Sequence, residues 1–117
     1  MKFEEMGVET GRTLLLLPGT ACTWQINFAI VIEDLKEQYH LICVNYDGFD
    51  GDNSQPFTDM ITVTEKIETY IQQHHDGRVD GAYGSSLGGS FVGLLARDIR
   101  IVEVRGSTPL CSTPGTR

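Results

Sequence analysis

The sequence predicts an α/β protein built on a parallel, doubly wound sheet with helices on both faces. Two continuous apolar runs, Thr13 to Leu17 and His40 to Tyr46, have the composition of strands covered on both sides. Between them, and again after the second, apolar residues recur at helical spacing with polar residues filling the gaps. The resulting order, strand-helix-strand-helix-strand-helix-strand, calls for right-handed crossovers between parallel strands.

In chain order, Lys2 to Met6 reads as a short edge strand, followed by a turn through Gly7 and Gly11. The run Thr13-Leu14-Leu15-Leu16-Leu17 is a buried strand closed by Pro18-Gly19. From Trp24 through Gln38, Phe28, Val31, Ile32 and Leu35 form one stripe of an amphipathic helix. The lone Trp24 reads as packing rather than as pocket wall. After the second strand, Asp47 to Asn53 is turn-rich and reads as a solvated loop, Asp47 and Asp50 included. It lacks the ligand order of a calcium loop.

Thr62-Val63-Thr64-Glu65 has the form of a capping box, which predicts a helix start at Thr62. Ile67, Tyr70 and Ile71 continue its stripe, and Gly77 supplies the left-handed residue at its end. His74 and His75 point about 100° apart on such a helix, which suits the C-terminal dipole better than a shared metal. The sequence therefore predicts no metal site and no cofactor. Val79 to Tyr83 is a third core strand, Leu87 to Arg97 a tightly packed helix, and Ile101 to Val104 a last strand. Residues 1–105 form the predicted domain, and residues 106–117, with two prolines and no periodicity, an irregular tail.

Composition narrows the function. With 117 residues and 40% hydrophobic content, the chain is one domain with a modest core. A formal net charge of −7 opposes phosphate backbones and anionic lipid, so neither nucleic acid nor membrane is an expected partner. No apolar leader opens the sequence and Leu14 to Leu17 is too short to span a bilayer, which predicts a soluble, cytoplasmic protein. Cys22, Cys43 and Cys111 are odd in number and widely spaced, so reduced thiols without chemistry are expected.

The stretch that carries chemistry is Gly84-Ser85-Ser86-Leu87-Gly88, a G-x-S-x-G pattern lying between a strand and a helix. Small residues two before and two after Ser86 let strand and helix approach without Cβ clashes, while the serine itself takes a strained backbone. The strain lifts its hydroxyl clear of the sheet. If the strands before Pro18-Gly19-Thr20 and before Ser86 are neighbours, the two loops meet at a switch point of the strand order.

These residues resemble the α/β-hydrolase family from about Thr13 to Val104. Gly84-Ser85-Ser86-Leu87-Gly88 is similar to its nucleophile elbow, and Leu17-Pro18-Gly19-Thr20 stands where its oxyanion loop stands, with Pro18 in place of the usual histidine. The resemblance implies Ser86 as nucleophile, an oxyanion hole from the amides of Leu87 and of Thr20 or Ala21, and a small-molecule acyl substrate. Pre-aimed amides would stabilise the developing oxyanion, each worth roughly 3 kcal/mol in the transition state.

In the family the acid and then the histidine of the triad follow the serine. Here no histidine follows Ser86, and the carboxylates that do, Asp98 and Glu103, stand at a helix end and within a strand. The chain is therefore expected to be an N-terminal portion, truncated after the strand that follows the nucleophile helix, with doubtful turnover and an exposed sheet edge that promotes self-association. A non-catalytic ligand-binding module on the same fold is the alternative. A phosphate- or nucleotide-binding domain ranks below both, because the glycines fit neither G-x-G-x-x-G nor the P-loop.

Overall fold

The computed structural model describes residues 1–19, 22–48, 57 and 59–107. Strand β1 (Lys2–Gly7) is followed by β2 (Arg12–Leu17), helices α1 (Trp24–Asn27) and α2 (Ala29–Leu35), and β3 (Tyr39–Asn45). Helix α3 (Met60–His75), β4 (Arg78–Ser85), α4 (Leu87–Leu95) and β5 (Arg100–Ser107) complete the order. The five strands form one sheet in the order β1-β3-β2-β4-β5. Four are parallel, as the apolar runs predicted. The polar, alternating β1 runs antiparallel to β3 at the edge, so the sheet is mixed rather than wholly parallel.

Alternation along β2 and β3 divides the core into two layers. Leu15, Leu17, Ile42 and Val44 face α3 and α4, where Val63, Ile67, Ile71, Phe91 and Leu95 close over them. Leu16, Leu41 and Cys43 face the other way, against Phe28 and Ile32. Burying a side chain of this kind contributes about 2 kcal/mol. The larger first layer therefore dominates stability.

Local chemistry moves several boundaries. The helix expected over Trp24 to Gln38 is divided at Phe28, whose φ of −115° and ψ of 15° leave the helical region. Phe28 is buried there, so packing sets the break. Helix α3 starts before the expected capping box. Asp59 is the N-cap and accepts the Thr62 N–H at 2.7 Å, while the Thr62 hydroxyl donates to the same carboxylate at 3.1 Å. At the other end Asp76 takes the left-handed conformation (φ 56°) ahead of Gly77 (φ 75°), and the Gly77 N–H donates to Ile71 O at 3.1 Å.

Strand β5 runs through Ser107, because its pairing with β4 continues to Ser85↔Ser107. The first two residues of the expected irregular tail are thus strand, and the rest of the tail lies outside the described residues. Among the described residues, no helix is long and apolar enough to cross a membrane.

Candidate active site

Strand β4 ends at Ser85 and α4 begins at Leu87, so a single residue makes the turn. That residue, Ser86, has φ 57° and ψ −113°, a backbone conformation that side-chain-bearing residues rarely take. Two glycines make the turn possible. A Cβ on Gly84 would lie 2.3 Å from the carbonyl carbon and oxygen of Gly88, and a Cβ on Gly88 would lie 2.1 Å from Leu17 O. The pattern thus brings strand to helix at one position and helix to β2 at the other. Ser86 is exposed, and its hydroxyl caps no amide of α4.

Strand β2 lies beside β4, with Leu17 level with Gly84. Its exit through Pro18 and Gly19 therefore runs past the turn. A Cβ on Gly19 would stand 3.3 Å from both Ser85 O and Ser86 Cβ. The two loops meet where the chain, having placed β3 on one side of β2, returns to place β4 on the other.

Side chains that sequence reasoning missed hold this junction. Tyr46, fully buried, donates its hydroxyl to Pro18 O at 2.8 Å, and its ring packs on Phe91 of α4 with centroids 4.8 Å apart. Gly19 N–H donates to Asn27 Oδ1 at 2.6 Å. Trp24 N–H donates to Asn45 Oδ1 at 2.8 Å, and Asn45 Nδ2 to Gln25 Oε1 at 3.0 Å. Only the position of Asn45 and Tyr46 at the carboxyl end of an apolar strand hints at this role. Their partners are brought near by the fold, not by spacing.

The predicted donors divide. Leu87 is the first residue of α4, and an N–H there has no partner within the helix. Thr20 and Ala21 lie outside the described residues. The Gly19 N–H between them and β2 is committed to Asn27.

The chain's three histidines lie at the opposite end of the sheet. His40 is the second residue of β3, level with Thr13, and His74 and His75 end α3 just before β4 begins. Strand rise separates His40 from Ser86 by roughly 20 Å. Asp98, in the turn leading to β5, stands at that far end as well, beside Glu68.

Asp47 is not the solvated loop residue that was expected. It is 2% exposed and pairs with Lys66 on α3 and with the N-terminal ammonium. Burial alone would raise its pKa, but the hydrogen bonds from Lys66 and the ammonium outweigh burial and lower it. Phe49 and Asp50 lie outside the described residues.

Cys43 is fully buried, and burial pushes its thiol up to about 12, which keeps it protonated and inert. Cys111 lies outside the described residues. Trp24 packs against the second core layer, in line with its reading as packing. A trough of about 540 Å³ runs along the sheet face beside α2, from Arg12 and Asp80 past Val31 and Tyr83 to Ser85.

No family model matches the chain, and no curated protein matches it. Solved structures do. An α/β-hydrolase family protein from Desulfitobacterium hafniense superposes with a TM-score of 0.84 at 27% identity, over 91% of this chain and 43% of that one. An esterase from Exiguobacterium antarcticum gives 0.73 at 20% identity, over 90% and 40%. MenH from S. aureus gives 0.71 at 23% identity, over 99% and 43%. The chain has the α/β-hydrolase fold and spans about two fifths of the length of these structures.

Proposed function

We propose that this α/β-hydrolase-fold chain supplies the nucleophile side of a serine hydrolase site, with Ser86 attacking carboxylic esters or related acyl compounds. The observation that carries the reading is Ser86 itself. It is an exposed serine held at positive φ on a one-residue turn, with the β2 exit loop packed against its Cβ. Strain at a residue that glycine would relieve points to a demand on its side chain.

In the proposed reaction Ser86 Oγ bonds to the acyl carbon, and the leaving alcohol departs with the serine's proton. Water then cleaves the acyl-enzyme to release the acid. The Leu87 N–H, at the positive end of α4, faces the oxyanion, with Thr20 or Ala21 as second donor. No histidine of this chain is near enough to take the proton. The chain's own turnover is therefore slow and rests on oxyanion donors and binding.

A fluorophosphonate probe tests the nucleophile. Labelling of the purified chain that disappears in Ser86→Ala supports the reading, and absence of labelling in a folded sample removes it. The placement of all three histidines at the far end of the sheet favours a second reading, a ligand-binding module without catalysis. Ester binding of equal affinity in the parent and in Ser86→Ala, with no labelling, selects that second reading.

A further inference from the structure

A second cluster of chemically capable side chains sits at the opposite end of the sheet. Glu5 lies on β1 opposite Ile42, and His40 on β3 opposite Gly7, so the two are diagonal neighbours on one face of the antiparallel pair. That face is the one α3 covers. The last turn of α3 brings His75 down onto the same carboxylate. His40 Nε2 lies 2.5 Å from Glu5 Oε1, and His75 Nε2 lies 3.0 Å from Glu5 Oε2. One ligand atom from each of the three residues fits within 4.8 Å of the others. Tyr70, five residues before His75, donates its hydroxyl to Glu5 Oε2 and stacks on Phe3 of β1.

We propose that Glu5, His40 and His75 form a binding site for a first-row transition-metal dication of the zinc type. Two imidazole nitrogens and one carboxylate oxygen are the donor set such ions prefer, whereas magnesium and calcium take oxygen. Ligands about 2.1 Å from a tetrahedral ion stand roughly 3.4 Å apart, so the donors need shift by about an ångström or less to close on one. Their side chains are 25%, 14% and 16% exposed, which shields the site from bulk water and leaves a path for entry. The Tyr70 hydroxyl orients the carboxylate from outside the ligand set.

Metal on His40 Nε2 obliges Nδ1 to carry the ring proton, and buried Nδ1 has no hydrogen-bond partner in the structure. The site is therefore weaker than one with both imidazoles braced. Its ligands come from β1, β3 and α3, so a bound ion ties the edge strand to the helix above it. This inference does not depend on Ser86, which lies roughly 20 Å away by strand rise.

The test is titration of chelator-treated protein with zinc, followed by calorimetry and thermal unfolding, with cobalt as a spectroscopic stand-in and magnesium as control. The expected result is one zinc per chain and a melting temperature that climbs with free zinc. Cobalt should give a visible spectrum without a thiolate charge-transfer band, and magnesium should have no effect. His75→Gln at the helix end should weaken zinc at least tenfold. Tyr70→Phe, which keeps the stack on Phe3, should weaken it about tenfold, and His74→Gln should leave it unchanged. Zinc that fails to bind at millimolar concentration, or that binds equally to His75→Gln and Glu5→Gln, overturns the proposal. Fluorophosphonate labelling of Ser86 should be the same with and without zinc.

Discussion

At Ser86 stability and proposed chemistry pull in opposite directions. A non-glycine residue at φ 57° costs about 1–3 kcal/mol. Glycine there would relieve that strain while giving back about 0.5–1 kcal/mol through its more flexible unfolded state. Ser86→Gly should therefore stabilise the chain by about 1 kcal/mol in urea denaturation and abolish fluorophosphonate labelling. A variant that is destabilised would show that the serine is retained for packing. The flanking glycines should behave in the reverse sense. In Gly84→Ala and Gly88→Ala the new methyl would lie 2.3 and 2.1 Å from backbone atoms, which cannot swing aside as a side chain can. Each should cost at least about 3 kcal/mol, beyond ordinary overpacking, and lower the yield of folded protein.

The elements show which parts of the chain were legible in sequence. The buried strands β2, β3 and β4 were readable because a continuous apolar run in an α/β pattern has few other homes, and the turn at Ser86 because its glycines stand at a fixed spacing from the serine, although the contacts that require them are with Gly88 for Gly84 and with Leu17 of β2 for Gly88. The helix starts were less so. Thr62 matched a capping pattern, yet Asp59 three residues earlier offers a carboxylate to the same amide and takes the position. The braces on the β2 exit loop were hinted at only by the place of Asn45 and Tyr46 at a strand end, and their partners were not readable. Tyr46 meets Pro18 across 28 residues, a contact created only by the finished sheet, and at the opposite end of the sheet Glu5 meets His75 across 70 in the same way. Tyr46→Phe should cost about 1 kcal/mol for the lost hydrogen bond and should reduce labelling of Ser86 by loosening the loop beside it.

The pairing of α3 with the turn after α4 has its own pH signature. Burial, then the neighbouring Asp98 carboxyl, then Glu65 push Glu68 on α3 up to about 7, from the ordinary value of 4.5. The native state thus keeps a proton that the unfolded chain has released between about pH 4.5 and 7. Stability should fall as pH rises through that window and level off above it. Glu68→Gln, neutral at every pH, should remove this component of the slope and unfold at higher urea than the parent at pH 8. Equal slopes for parent and variant would mean that Glu68 titrates normally.

For the whole molecule, the uneven covering of the sheet matters most. Helices α3 and α4 close one face, whereas on the other face the second core layer sits over β2 and β3 and the trough opens towards β4. Tyr83 on β4 is 38% exposed and Val102 on β5 is 54% exposed. Register places Val102 level with Asp80, on the trough side of the sheet. Among the described strands β5 pairs only with β4, so its outer backbone groups are offered to a further strand. An open apolar face next to an unpaired edge favours association between copies. Sedimentation should therefore reveal concentration-dependent self-association of the 117-residue chain, and Val102→Lys, which places a charge on that edge, should shift it towards monomer without lowering its melting temperature. A parent chain that stays monomeric at high micromolar concentration would show that neither the edge nor the trough drives contact between copies.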